Sequence, residues 1–365
     1  MTRAGLYIRP LALRDSPEDG AERLAGGMVW ASRFALLIRE EGEIIERRVV
    51  AAPDLAEALT CLPDAFTEEG EAQWSALRQP RPPLALGNTT VPLDQPQVMG
   101  VLNLTPDSFS DGGVFLDDPD AAHAHALAML EAGAAIIDVG GESTRPGAVA
   151  VREEQELARV VPAIERLAGS GAAISVDTRR AVVMAAALAA GAHVINDVSA
   201  LRHDPRSLAL AAKSGATVVL MHAPGSGDDL HDGAAYRDIV FDVFDFLRER
   251  RDAAIAGGIP RNRIVLDPGI GFGKSLADNL ALMNALTMFH ALGQPLLVGA
   301  SRKRMIGALS MGEAATRRLG GSLTLALHAM NAGVQLIRVH DVHETVQAAA
   351  VWRALREAAL TGPDR

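Results

Sequence analysis

The sequence is poor in aromatic residues, has a single cysteine and contains no long uncharged apolar run. Only 4% of its 365 residues are Phe, Trp or Tyr, while 48% are hydrophobic. A core must therefore be built mostly from Ala, Val, Leu and Ile, a composition that suits buried parallel strands covered by helices. Cys61 stands alone, which excludes an intramolecular disulfide and fits a reducing, cytoplasmic setting. No stretch reaches the roughly 18 uncharged apolar residues of a membrane span. The start, Met1-Thr2-Arg3-Ala4-Gly5, has neither a long apolar run nor an obvious cleavage site, so no signal peptide is expected. A basic excess is missing as well. The formal net charge is −10, which argues against a nucleic-acid partner. An anionic ligand would need a local cluster of cations to hold it against that field. There is no Gly-x-Ser-x-Gly elbow and no His/Cys cluster with zinc spacing. His123 and His125 fall in an Ala-rich helical stretch and read as surface residues. A covalent enzyme intermediate is not expected.

What is present is a rhythm. Between Val98 and His340 a short apolar run ends in a polar residue or glycine, an amphipathic stretch follows, and the event recurs about eight times, as in a barrel that closes with about eight strands. The strands read as Val98–Asn103, Ile136–Gly140, Ile174–Asp177, Val194–Asn196, Thr217–His222, Ile264–Asp267, Leu296–Gly299 and Leu336–Val339. The helices between and after them read as Pro119–Ala132, Arg152–Leu167, Arg179–Ala190, Pro205–Lys213, Tyr236–Ala256, Leu276–Leu292, Ala314–Ala332 and Val342–Ala359. Glycines at 133, 169, 191, 215, 257, 293 and 333 stand where helices should stop. This predicts an α/β fold, a (β/α)₈ TIM barrel, in which chemistry belongs at the carboxyl ends of the strands. Doubly wound open sheets share the alternation, so the count of units is the discriminator.

The chain is longer than the roughly 250 residues of one barrel. Residues 1–83 lack the rhythm and read as a small α/β N-terminal extension. Phe34–Ile38 and Ile44–Val50 flank Glu40-Glu41-Gly42-Glu43 as a hairpin. Asp54–Leu59 and Thr67–Leu77 read as short helices. Arg78-Gln79-Pro80-Arg81-Pro82-Pro83 is a stiff connector, and the boundary is set there. The barrel unit then covers residues 84–365. Leu84–Leu93 reads as a second hairpin, turning at Asn88, at the base of the barrel. A core of about 80 residues is only marginally self-supporting, so packing or oligomerisation is the expected role of the extension.

Several strand tips carry groups able to recognise a flat, polar ligand. Asp177, Asn196 and Asp267 combine carboxylates, which only accept, with an amide that both donates and accepts. Each could instead cap a following helix, and Asp197 could cap in place of Asn196. Lys303, Arg338 and His340 are candidate cations at the last two tips, a recurrent phosphate site in this fold. Two polar loops after the first two strands, Asn103–Gly113 and Gly140–Gly147, could close over a substrate. Asp138 also stands at a tip, where it could simply brace the second loop; His222 could contact phosphate or be a satisfied strand-end histidine, and Arg304 merely extends a basic run.

Val98-Met99-Gly100-Val101-Leu102-Asn103-Leu104-Thr105-Pro106-Asp107-Ser108-Phe109-Ser110-Asp111-Gly112-Gly113 resembles the first signature of the dihydropteroate synthase family of pterin-binding enzymes. Asp138-Val139-Gly140-Gly141-Glu142-Ser143-Thr144-Arg145-Pro146-Gly147 resembles the second. Ser175-Val176-Asp177-Thr178, Ile195-Asn196-Asp197, Leu266–Lys274, Ser301-Arg302-Lys303 and Arg338-Val339-His340-Asp341 follow in family order. The resemblance covers about residues 84–358. It implies a transferase that condenses a 6-hydroxymethyl-dihydropterin diphosphate with 4-aminobenzoate on the route to folate, and a target of sulfonamides. It implies Mg²⁺ as the cation, with Asn103 as its protein ligand. Asp177, Asn196, Asp267 and Lys303 would bind the pterin, and Lys303, Arg338 and His340 the diphosphate side, with Val339 a further substrate-binding position. Phe109, Asp111, Thr144, Arg145 and Pro146, with Phe272 and Ser301, would form the aminobenzoate pocket. Asp177, Asp267, Lys303, Arg338 and His340 would carry catalysis. Family members dimerise through the helices after strands 7 and 8, so a homodimer is expected.

Two rival readings remain at this point. A methyltetrahydrofolate-dependent methyltransferase barrel shares pterin-binding carboxylates but handles no diphosphate. The long first loop, Ser301–Lys303 and Arg338–His340 count against it. A catalytically silent paralogue that binds pterin is the second, and the intact loops count against that.

Overall fold

Residues 4–17, 20–105, 118–145, 151–225, 227 and 229–361 are described by a computed structural model. The extension begins with strands β1 (Gly5–Arg14), β2 (Glu22–Arg23), β3 (Trp30–Glu40) and β4 (Glu43–Ala51), followed by helices α1 (Leu55–Thr60) and α2 (Asp64–Arg78). The expected hairpin is β3–β4, with a register shift at Ile38/Arg39. The long strand β1 was not expected from the sequence. It carries Pro10, which a strand tolerates at a sheet edge, and it pairs antiparallel with β3 on one side only. Its other side is met by Gln73 of α2, which accepts from the Ile8 N–H (2.9 Å) and donates to the Leu6 carbonyl (2.6 Å).

Strands β5 (Leu84–Leu86) and β6 (Thr89–Val91) form the second hairpin. Leu84, Leu86, Val91 and Leu93 pack with Met99, Ile136, Ala173, Val194, Val219, Val265, Leu297 and Leu336 in one apolar cluster. Those eight partners come from eight successive strands or the residue just before one, so the hairpin plugs the base of the barrel.

The barrel strands are β7 (Gln97–Asn103), β8 (Ile136–Gly140), β9 (Ile174–Asp177), β10 (Val194–Asp197), β11 (Thr217–Met221), β12 (Ile264–Asp267), β13 (Leu297–Val298) and β14 (Leu336–Val339). Among the described residues they form one parallel eight-stranded sheet in the order β12-β11-β10-β9-β8-β7-β14-β13. A parallel bridge between Leu266 and Leu296 joins the two ends. That closure separates a TIM barrel from an open doubly wound sheet.

The covering helices are α3 (Pro119–Glu131), α4 (Glu153–Ala168), α5 (Ala181–Ala190), α6 (Ser207–Ser214), α7 (Ile239–Ala256), α8 (Leu276–Asn284), α9 (Arg304–Leu309), α10 (Leu319–Asn331) and α11 (Val342–Thr361). Two differ in kind from expectation. The sixth unit is not one helix to Leu292: α8 stops at Asn284, and Leu286–Leu292 runs on as a tighter 3₁₀ segment with every residue buried. That segment is clamped between the barrel and the extension. Thr287 donates to the Pro10 carbonyl (3.1 Å), and Arg81 donates to the His290 carbonyl (2.9 Å). The seventh unit gains a short helix, α9, ahead of the expected span, which opens as a 3₁₀ turn at Ala315–Arg317 and is α-helical only from Leu319; a Cβ at Gly321 would lie 2.3 Å from Ile306, so only glycine lets α10 approach α9 there. At residues 169 and 257 the chain is still right-handed, and the left-handed stop falls later, at Gly171 and Gly258.

The extension shares one continuous apolar core with the barrel. Tyr7 of β1 donates to Asp245 of α7 and packs edge-on to Phe241 and Phe244. Arg39 pairs with Asp242 (3.2 Å).

His290, fully buried in the clamped segment, bonds through Nε2 to the Ala332 carbonyl (2.9 Å). Burial, and then nearby Arg81, pushes its imidazole down to about 4. It is neutral in the folded chain, whereas the unfolded chain takes up a proton below its ordinary pKa. Its contribution is therefore whole above about pH 6.5 and is lost as the pH falls toward 4. Between pH 7 and 5 this single group should cost about 2 kcal/mol of stability. Urea unfolding of His290→Gln should show a pH dependence shallower by about that amount, and an unchanged slope would contradict it.

Candidate active site

The carboxyl ends of the barrel strands bring most of the expected residues to one mouth. Asp177 ends β9, Asn196 lies in β10, Asp267 ends β12, and Arg338 and Val339 close β14. Asn103 ends β7, Thr144 and Arg145 follow β8, and Ser301 and Lys303 follow β13. Phe109, Asp111 and Pro146 lie outside the described residues.

The centre of the mouth is ionic. Arg338 donates from Nε to Asp138 Oδ2 (2.7 Å) and from Nη2 to Asp177 Oδ2 (2.8 Å). Asn196 Nδ2 donates to the same Asp138 oxygen (3.1 Å). Asp138 is wholly buried, and its Oδ1 has no hydrogen-bond partner among the described residues. This tip is thus the hub that orients an arginine and an amide. Burial raises the Asp177 carboxyl, and Arg338 pulls it back. Burial would lower Arg338, yet Asp138, Asp177 and Asp267 hold it above its ordinary value.

None of the three pterin candidates caps a helix. The residue before α5 is Arg180, and the N–H of Ala181 is taken by Asp204 (3.0 Å). Asp197 ties its own loop, accepting from the Ser199 and Leu201 N–H groups (2.7 and 3.0 Å). Asp267 accepts from the Gly269 N–H (2.7 Å), a local turn that fixes one oxygen. Burial pushes its carboxyl up to about 6.

Lys303 stands over the Phe272 ring, 4.3 Å from its centroid. Burial, and then Arg338, pulls the ammonium down to about 8, while Asp267 and Asp177 support it. His340 was expected as a cation, but burial, Arg338, Arg302 and Lys303 hold its imidazole down at about 3. It is a neutral partner whose Nδ1 lies 3.1 Å from Ser301 Oγ. Positive charge therefore comes from Lys303 and Arg338, with Arg145 near enough to act on both Lys303 and His340.

Other functional neighbours carried no distinctive signal in the sequence. Lys274 sits inside a quoted motif without an assigned role. Its Nζ bonds His222 Nδ1 (2.8 Å) and donates to the carbonyls of His222 (3.2 Å), Gly269 (2.8 Å) and Phe272 (3.1 Å). Burial lowers it to about 7. The His222 ring, bonded at Nδ1 to Lys274, packs edge-on to Phe246, and burial drives it down to about 2. Glu142, at the root of the second loop, pairs with Arg179 (3.0 Å) and Arg180 (2.9 Å), and Arg180 also pairs with buried Glu156. Burial would raise Glu142, but the two guanidinium groups hold it below its ordinary value.

A flat, polar heterocycle beside an anion suits this arrangement: fixed carboxylates and an amide on rigid strand ends, with cations adjoining. The comparisons agree. A family profile described as pterin binding enzyme matches residues 99–340. The dihydropteroate synthase of Neisseria meningitidis serogroup B is 46% identical over 273 residues, 74% of this chain and 96% of the relative. The crystal structure of Yersinia pestis dihydropteroate synthase with a sulfonamide drug complex superposes with a TM-score of 0.72 at 46% identity, covering 76% of this chain and 100% of that one. Xanthomonas albilineans dihydropteroate synthase with 4-aminobenzoic acid gives 0.71 at 49%, covering 76% and 98%.

One ammonium serves three carbonyls and an imidazole; the Gly269 carbonyl also takes the Phe272 N–H, so Lys274→Met should deprive the His222 and Phe272 carbonyls and the imidazole of this donor. A loss on the order of 3 kcal/mol is expected in urea unfolding. A variant as stable as the parent would show that the ammonium does not hold the 268–274 loop.

Proposed function

The chain belongs to the pterin-binding enzyme family, among its dihydropteroate synthases, and on that premise we propose how its strand tips divide the reaction. It is a transferase of folate biosynthesis. Dihydropteroate synthases condense (7,8-dihydropterin-6-yl)methyl diphosphate with 4-aminobenzoate to give 7,8-dihydropteroate and diphosphate. The observation that carries the division of roles is the Asp138–Arg338–Asp177 cluster beside Asn196, Asp267 and Lys303.

Asp177, Asn196 and Asp267 take the polar edge of the pterin. Asp138 and Arg338 hold Asp177 and Asn196 in place before substrate arrives, so little reorganisation is needed on binding. Lys303 lies between the pterin and diphosphate sides. Arg338 faces the diphosphate as well as Asp177. His340, accepting from the Ser301 hydroxyl at Nδ1, offers a neutral Nε2–H to a phosphate oxygen. Thr144, Arg145, Phe272 and Ser301, with Phe109, Asp111 and Pro146, make up the aminobenzoate pocket. The sulfonamide complex of the Yersinia pestis relative extends to this chain as competition for that pocket.

The bond from the pterin methylene to the diphosphate oxygen breaks, and its electron pair leaves with diphosphate. Positive charge left on the methylene spreads into the ring, where Asp177 and Asp267 stabilise it electrostatically. The lone pair of the aryl amine forms the new C–N bond, and the amine proton passes to solvent. No strong base is required.

Asn103 is the proposed magnesium ligand. A Cβ on Gly140 would lie 3.5 Å from Asn103 Oδ1 and 3.9 Å from Asp177 Oδ2, so both oxygens border one small gap. Among the described residues no group of three His, Cys, Asp or Glu could hold a metal. A single amide oxygen fits an ion that keeps waters and takes its remaining ligands from phosphates. When bound, magnesium would draw charge onto the leaving diphosphate.

We further propose a cytoplasmic homodimer. Cys61 is an exposed free thiol, and among the described residues no helix is long and apolar enough to cross a membrane. Val351 and Leu355, one turn apart on α11, are 57% and 68% exposed, an apolar stripe that a second copy would cover. Residues 1–83 are assigned a packing role, in keeping with the core they share with the barrel.

Diphosphate release that requires both 4-aminobenzoate and magnesium is the expected result, and release without 4-aminobenzoate would refute the reading. Asp177→Asn should lower turnover roughly hundredfold, and near-normal turnover with unchanged pterin affinity would remove the electrostatic role. Val351→Asp combined with Leu355→Asp should halve the mass measured by light scattering, and an intact dimer would move the interface elsewhere.

A further inference from the structure

The geometry points to His231 as a positioning residue that sets the width of the aminobenzoate pocket, a role that rests on the functional reading above. His231 lies in the loop after β11, and no motif in the sequence marks it. Its ring stacks on Phe272, with centroids 5.6 Å apart and planes within 7°. Its Nδ1 accepts from the Gly273 N–H (2.9 Å), which leaves the proton of the neutral ring on Nε2. That Nε2 lies 3.1 Å from the Thr144 carbonyl and donates to it. One imidazole thus ties three loops together, those following β8, β11 and β12.

Two of the tied residues, Thr144 and Phe272, belong to the pocket proposed for 4-aminobenzoate. Phe272 also carries Lys303 over its ring. The neighbouring residue Leu230 packs with Phe272, Met221, Val198 and Ala223 in a small apolar cluster at the mouth, so the His231 backbone is anchored from below. The Asp229 carboxylate accepts from the His231 N–H (2.8 Å) and fixes the turn. Gly273 leaves little slack: a Cβ there would lie 2.3 Å from Pro224 and 3.2 Å from the His231 carbonyl. The gap between Thr144 and Phe272 is therefore set by the reach of the imidazole. Asp177 and Asn196 are held by Arg338 and Asp138 rather than by this tie, so the pterin edge should feel its loss far less than the aminobenzoate pocket does.

His231→Phe keeps a ring against Phe272 and loses both hydrogen bonds. His231→Gln keeps an acceptor and a donor at similar reach and loses the ring. The expected result is a KM for 4-aminobenzoate raised about tenfold in His231→Phe and less in His231→Gln, with kcat and the KM for the pterin diphosphate within about twofold of the parent in both. Titration calorimetry of 4-aminobenzoate onto protein holding pterin and diphosphate should give the same ranking without turnover. A parent chain that binds but does not turn over would count against the functional reading, while the ranking would still decide the role of His231. Equal aminobenzoate affinity in all three proteins would overturn the assignment. So would a parallel rise in both KM values, which would mark a general loosening of the mouth.

Discussion

The guanidinium of Arg338 reaches from β14 past β7 to carboxylates on β8 and β9, and the order of the site follows from it. Taking these charges out of water is costly, and a buried ion pair of this kind is weak evidence for stability in itself. Its value lies in geometry. Asp138 cannot be approached by solvent, so its one bonded oxygen fixes both Arg338 and Asn196. Arg338 then fixes Asp177. Three side chains from three strands hold their positions because one buried acid holds them. A ligand meets a polar surface that is already oriented, the condition under which electrostatic stabilisation of a developing charge is strongest.

Around this centre the loops are fixed by a second set of polar ties. Glu142 joins the root of the loop after β8 to Arg179 and Arg180 after β9. Lys274 pulls the loop after β12 onto His222 at the end of β11. His231 connects both regions through Thr144 and Gly273. Each tie satisfies backbone or side-chain groups that would otherwise be unpaired away from water. The neutral histidines have the same origin: cations crowd the mouth, and burial leaves His340 and His222 no means of carrying another positive charge.

The extension is joined to the barrel by burial, not by a linker alone. Tyr7, Phe241, Phe244 and Phe289 form a run of ring contacts from β1 through α7 to the 3₁₀ segment. In a chain with so few aromatics, placing four of them at this seam makes it part of the core. The proline-rich stretch after Arg78 is anchored through Arg81, whose guanidinium donates to the carbonyls of Ala76, Gln79 and His290.

The barrel, its eight strand tips and the hairpin at its base were legible in the sequence, because strand and helix periodicities and turn glycines are local properties of the chain. So was the chemical character of most tips: Asp177, Asn196, Asp267 and Lys303 are polar residues ending apolar runs, and that juxtaposition is visible without a fold. Long-range partnership was not. Strand β1 is defined by its pairing with β3 and by Gln73, neither of them near it in sequence. The break at Asn284 falls where the 286–292 segment meets the extension, with Thr287 bonded to Pro10. Asp138 and Arg338 are 200 residues apart, and only the pairing of β14 with β7, beside β8, brings them to 2.7 Å. The neutrality of His340 depends on which cations surround it after folding. The sequence by itself determined which groups stand at the strand ends, since each run encodes its own end. Only the tertiary structure decided which of them meet and what charge they carry, because contact and burial arise when distant segments share one mouth.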